Sequence, residues 1–172
     1  LDTDMYGHAP LVDELVPLAV AHRVKPILMV GGAGAHDGFV VAASDARRAS
    51  FVRALVDYAK GHGFVGLDLD WEPIEAEDQA PFEALARALR GAWPEAVLTV
   101  PVGAINGNYQ VVDPWYARVA PVFDQINVMT YGMAGPYEGW QSWHSSPLTG
   151  ESPTTPMSVV RPKTLPPSTF RF

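Results

Sequence analysis

The sequence predicts an α/β fold with a parallel sheet built from about four βα units. Three observations carry that expectation: short apolar runs closed by Gly or acidic residues, amphipathic segments between them, and recurrence of the pair at intervals of about thirty residues.

Over residues 10–23, Leu11, Val12, Leu15, Val16 and Leu18 recur near helical spacing, with Pro17 expected to kink the helix. Lys25-Pro-Ile-Leu-Met-Val-Gly-Gly-Ala-Gly34 is an apolar run ended by glycines, as in a buried strand that turns sharply. Ser44-Asp45 reads as the N-cap of a helix with Phe51, Leu55, Val56 and Tyr58 on its apolar face, ending near Gly61. Phe64-Val-Gly-Leu-Asp-Leu-Asp70 is the second strand. A helix is expected over 79–92, where Phe82, Leu85, Ala86 and Leu89 make a stripe and Gly91 and Pro94 end it. Ala96-Val-Leu-Thr-Val-Pro101 is the third strand. After a loop rich in Gly and Asn come a short helix over 114–122 and a fourth strand over 125–131. From Pro147 onward, six prolines among Ser and Thr leave no periodicity, as in an irregular tail.

Composition narrows the function. The chain has 172 residues, 48% of them apolar and 18% charged, with a mean hydropathy of +0.03, which suits a globular domain. Twelve Lys and Arg against nineteen Asp and Glu leave a net charge of -7, which repels polyanions and argues against nucleic acid as a partner. No stretch approaches the roughly 20 apolar residues of a membrane span, and Asp2 and Asp4 stand where a signal peptide would carry Lys or Arg. The absence of Cys excludes disulfides, thiolate zinc sites and thiol nucleophiles. The Gly31-Gly32-Ala-Gly34 run lacks the Gly-Lys-Ser/Thr of a phosphate-binding loop.

The chemistry concentrates in Asp68, Asp70 and Glu72. Residues two apart in a strand share a face, so these three form a ladder at roughly 6.6 Å spacing while Leu67, Leu69 and Trp71 point the other way. A strand covered by helices reads apolar on both faces, so an acid row calls for an interior polar site. Three crowded carboxylates disfavour full ionisation and raise the proton affinity of at least one, which suits a general acid. On the residues alone, a solvent-washed edge strand and an oxygen-ligated cation such as Mg²⁺ stay open beside that reading.

Val65-Gly-Leu-Asp-Leu-Asp-Trp-Glu72 resembles the D-G-x-D-x-D-x-E signature of the family 18 glycoside hydrolases, the chitinases and endo-β-N-acetylglucosaminidases, on the fourth strand of their (β/α)8 barrel. Met29-Val-Gly-Gly32 resembles the S-x-G-G element ending the third strand, and Met129-Thr-Tyr-Gly132 the M-x-Y-D element ending the sixth. The segment from Ala134 through Leu148 is similar to the loop that follows in bacterial members. The resemblance spans residues 20–150.

It implies an incomplete (β/α)8 TIM barrel of about four βα units, with residues 1–150 a partial catalytic domain and 151–172 a Pro-rich irregular tail. It also implies cleavage of β-1,4-linked N-acetylglucosamine by a substrate-assisted retaining route, with no metal or other cofactor. In that scheme Glu72 protonates the glycosidic oxygen, Asp70 orients the N-acetyl group, Asp68 tunes Asp70, and Tyr131 donates a hydrogen bond to the acetamide. Met129 would line the sugar pocket, and Tyr137, Trp140 and Trp143 would offer ring faces to pyranose rings, with Trp115 and Tyr116 extending the platform. Packing of the same residues into a core or a folded loop is the alternative. His144 reads as a loop hydrogen-bonder. The expected partners are chitin or N-acetylglucosamine oligosaccharides, and the family context implies secretion of the full-length protein.

Three positions depart from the pattern: Val65, Gly132 and Met29 stand where the family has Asp, Asp and Ser. The departures imply weak activity, or alternatively a catalytically impaired chitin-binding or structural fragment. A closed barrel takes about 250 residues, so four units leave sheet edges at 26–30 and 126–131, and a homodimer or larger assembly is expected to cover them.

Overall fold

The computed structural model describes residues 10–103, 114–132 and 144–148. The described residues fall into two compact units: those up to Val100 together with Val122–Gln125, and those within Pro101–Pro121 and from Ile126 onward. The expected boundary at residue 150 and the tail lie outside the described residues.

Four strands, β1 (Ile27–Ala33), β2 (Gly66–Glu72), β3 (Val97–Gly103) and β4 (Gln125–Met129), form one sheet in the order β1-β2-β3-β4. The β1–β2 and β2–β3 pairs are parallel, with Met29, Gly31 and Ala33 opposite Asp68, Asp70 and Glu72, and Thr99 opposite Asp68. The helices are α1 (Pro10–Ala21), α2 (His36–Ala42), α3 (Arg48–Gly61), α4 (Gln79–Ala92) and α5 (Trp115–Val119).

In the first unit, the core lies between the sheet and α3 and α4. Leu67 and Leu69 of β2, Leu98 of β3, Leu55 of α3, and Phe82, Leu85 and Leu89 of α4 are fully buried. Each such side chain contributes about 1.5–3 kcal/mol relative to exposure, and the expected stripe of α4, Phe82, Leu85, Ala86 and Leu89, is buried throughout. Trp71 joins them, stacked on Phe39 of α2 at 4.9 Å and meeting Phe82 at 6.0 Å.

Helix ends explain where the elements stop. After α1, Arg23 adopts a positive φ of 59°, so that Arg23 N–H donates to Val20 and Val24 N–H to Ala19, the paired bonds of a Schellman stop. After α3 the same bonds run from Gly63 to Lys60 and from Phe64 to Ala59, with Gly63 at φ 79°. Helix α4 ends on extended Trp93, the conformation that the following Pro94 imposes.

Some expectations are corrected. Residues 36–42 form α2, which the Gly-rich composition before it concealed. Ser44 and Asp45 do not cap α3: the Ser44 hydroxyl donates to Val41 O at 2.7 Å and Asp45 accepts from Arg48 at 2.7 Å. Strand β2 lies two residues further along than expected, so Glu72 is its last residue. The helix expected over 114–122 divides into α5 and a 3-10 turn over Ala120–Val122, where Pro121 has no N–H for an α-helical bond.

Arg90 ties α4 to the strands. Its guanidinium donates to the carbonyls of Val122, Pro94 and Ala96 and to Asp124 at 2.7 Å, while Asp124 also accepts from Leu98 N–H. These bonds hold the Asp124 carboxyl below its ordinary pKa, the Arg90 bond first.

Gly66 is required by close approach, because a Cβ there would run into the Val97 carbonyl, whereas one on Gly91 of α4 meets nothing within 4 Å. Gly66→Ala should therefore lower stability by about 1–3 kcal/mol and Gly91→Ala raise it by about 0.5 kcal/mol. Urea unfolding of both variants checks the opposed signs, and equal effects would refute the close approach.

Candidate active site

The alternation in β2 is realised in the structure. Leu67, Leu69 and Trp71 are buried, and Asp68, Asp70 and Glu72 are half-buried on the opposite face. The same face of β1 brings Met29, Gly31 and Ala33 alongside them. Gly31 has a φ of 109°, and a Cβ there would collide with the backbone carbonyl of Asp70 and with Phe39, so only glycine lets β1 lie this close to the ladder.

The acids differ in their surroundings. The Thr99 hydroxyl donates to Asp68 Oδ1. Burial first, then hydrogen bonding with Glu72 and the charges of Glu72 and Asp68, push the Asp70 carboxyl up from 3.8 to about 6. Its Oδ1 is buried with no hydrogen-bond partner among the described residues. Burial and crowding thus leave Asp70 with a raised proton affinity and with one oxygen that no donor among the described residues serves. Among the described residues, no group of three or more His, Asp or Glu side chains is placed to hold a metal ion.

Met129 and Tyr131 belong to the second unit. Met129 ends β4 half-buried, and Tyr131, two residues beyond, is exposed. Trp115 is buried with its ring against Tyr116 at 5.0 Å, which removes its faces from any open platform. Tyr137, Trp140 and Trp143 lie outside the described residues, and His144 is exposed. Gly132 has a φ of 66° and donates its N–H to the Ser145 hydroxyl at 3.1 Å; an Asp there would sit in a backbone region that glycine favours.

Three residues near the acids were not found by sequence reasoning. Thr99 was legible as a polar residue within an apolar strand. His36 and Asp78 pair across 42 positions, which no local pattern signals.

The family model for glycosyl hydrolases family 18 matches residues 9–164. The chain belongs to glycosyl hydrolases family 18. A class V chitinase from Arabidopsis thaliana is 34% identical over 129 residues, covering 68% of this chain and 33% of that protein. The group IV chitinase of Ostrinia furnacalis in complex with allosamidin has a TM-score of 0.71 at 26% identity, with 89% of this chain and 44% of that one covered. A Cycas revoluta family 18 chitinase in complex with (GlcNAc)3 has a TM-score of 0.68 at 27% identity, with 81% and 46% covered. The chain thus spans a third to under a half of the length of these relatives, and its four βα units are a partial domain of an incomplete barrel.

The raised Asp70 carboxyl makes folding take up a proton between pH 3.8 and about 6. Its favourable contribution is fully present below pH 3.8 and is lost as pH rises through 6. Asp70→Asn cannot ionise, so its stability relative to the parent should rise between pH 4 and 7.5, by on the order of 1 kcal/mol after solvent screening. Urea midpoints at the two pH values test this, and an unchanged difference would remove the assignment.

Proposed function

We propose that the chain carries the acid machinery of a chitinase-like hydrolase acting on β-1,4-linked N-acetylglucosamine by a substrate-assisted retaining mechanism. The observation that carries this reading is the row of Asp68, Asp70 and Glu72 on one half-buried face of β2, with an Asp70 oxygen that has no partner among the described residues. Glu72 gives its proton to the glycosidic oxygen as the bond to C1 breaks. The substrate's acetamide oxygen attacks C1, and the developing positive charge on the acetamido group is met by Asp70, which also accepts its N–H. Glu72, now a carboxylate, takes a proton from the water that opens the cyclised intermediate. Asp68, held by Thr99, keeps a further negative charge beside Asp70. Tyr131 and Met129, with Tyr137, Trp140 and Trp143, are assigned to the acetamide and the sugar rings by resemblance.

An extracellular polymer as substrate assigns the full-length protein to the outside of the cell. No helix among the described residues is long and apolar enough to cross a membrane.

Glu72→Gln should lower turnover of an unactivated chitooligosaccharide by roughly 10²-fold or more while binding persists, and EDTA should leave the parent's rate unchanged. Equal rates for parent and variant would remove Glu72 as the acid. Binding without turnover in the parent would favour an impaired chitin-binding fragment instead, and a rate lost to EDTA and restored by Mg²⁺ would favour the cation.

For the chain as given, self-association is also proposed. In α1, Leu11, Leu15 and Leu18 are exposed, as is Met29 of β1, whose other edge has no strand partner among the described residues. Sedimentation equilibrium at micromolar concentration should give a dimer or larger species, and a well-folded monomer would overturn the expectation.

A further inference from the structure

Beyond the ladder, one side-chain pair joins the loops that leave β1 and β2 at their C-terminal ends. His36 opens α2, three residues past the end of β1; Asp78 closes the 3-10 turn Ala76–Asp78 that follows β2. His36 Nε2 lies 2.8 Å from Asp78 Oδ2, and that carboxyl is almost wholly buried. The same oxygen accepts the Glu75 N–H at 2.9 Å, while the Glu75 side chain accepts the Asp78 N–H, so the turn is closed by a reciprocal capping box. On its other side, the His36 ring meets Trp71 edge-on at 6.2 Å, and Trp71 is itself stacked on Phe39.

Glu72 therefore sits between two positions that this pair touches: Trp71 immediately before it and the Glu75 N–H three residues after it. We propose that His36 and Asp78 are positioning residues that fix the end of β2, and with it the carboxyl of Glu72, by cross-tying the β1 and β2 loops. This inference rests on the hydrolase reading for its kinetic consequence alone. A displacement of about 1 Å in a reacting group can cost 10²-fold in rate, so a tie on both sides of the acid has kinetic leverage without touching substrate.

The pair is also sensitive to pH. The titratable groups facing His36 are Asp78, from the 3-10 turn, and Asp37 beside it on α2; Trp71, the β2 residue that meets it, does not titrate. Hydrogen bonds to Asp78 and then to Asp37 hold the imidazole above its ordinary 6.5. Protonated, it donates from both nitrogens; neutral, it donates from one. The tie is an ion pair while the imidazole is charged and becomes a neutral hydrogen bond as pH rises through that elevated value.

The test uses the whole chain and three variants, His36→Ala, His36→Gln and Asp78→Asn, each checked for folding by circular dichroism. His36→Gln keeps a side-chain N–H donor. With 4-methylumbelliferyl chitobioside as substrate, His36→Ala should lose about tenfold in kcat with KM changed less than twofold, and His36→Gln should recover most of the loss. By NMR, His36 in the parent should titrate above 6.5, the Trp71 indole N–H should follow the same midpoint, and Asp78→Asn should bring that midpoint back toward 6.5. Unchanged kcat in His36→Ala, or a Trp71 signal indifferent to His36, would overturn the proposal. If the parent does not turn over the substrate, the hydrolase reading fails separately, and the Trp71 titration still decides whether the tie exists.

Discussion

Strand β2 must bury Leu67, Leu69 and Trp71 against helices while holding Asp68, Asp70 and Glu72 clear of that core, and the rest of the first unit is arranged around this requirement. A one-residue slip in register would put three acids among Phe82, Leu85 and Leu89, at a cost of several kcal/mol for each unpaired charge. Glycine at 66 and at 31 lets the neighbouring strands approach β2 closely enough to pin the register. The apolar face thus fixes where the acids stand, and the polar face decides what they do there.

Crowding then separates the roles of chemically similar groups. Asp68 takes a hydroxyl hydrogen bond from Thr99, whereas Asp70 is raised by burial and by its acidic neighbours and is left with an oxygen that nothing among the described residues satisfies. A buried oxygen without a donor costs about 1–3 kcal/mol, so the ladder carries an electrostatic cost that the apolar packing on the other face of β2 offsets. The departure at Gly132 has a backbone counterpart in its left-handed conformation, while nothing in the structure accounts for Val65 in place of an acid; it stands just before β2, with backbone bonds to Pro26 and Val97.

Much of this was legible in the sequence because it depends on periods of two and of 3.6. The stripe of α4, the four strands and the two-faced ladder follow from side-chain direction alone. What was missed depends on contacts between distant residues or on competition among local bonds. Ser44 had the composition of a cap, but its hydroxyl turned back to Val41 and left α3 to begin at Arg48. The short α2 offers only one buried residue, Phe39, too little for a stripe to be visible. His36 and Asp78 are each unremarkable until the loops after β1 and β2 bring them together.

The hub at Arg90 carries a consequence for which substitutions the fold can accept. One guanidinium serves the carbonyls of Val122, Pro94 and Ala96 and the carboxylate of Asp124, acceptors that lie in different directions around its plane. Lysine keeps the charge but concentrates its donors at a single point, so it could reach Asp124 only by abandoning the carbonyls, or the reverse. The exchange of Arg for Lys, mild on most helix surfaces, is here a loss of shape, and position 90 should tolerate change less than many fully buried leucines whose volume another hydrophobe can replace.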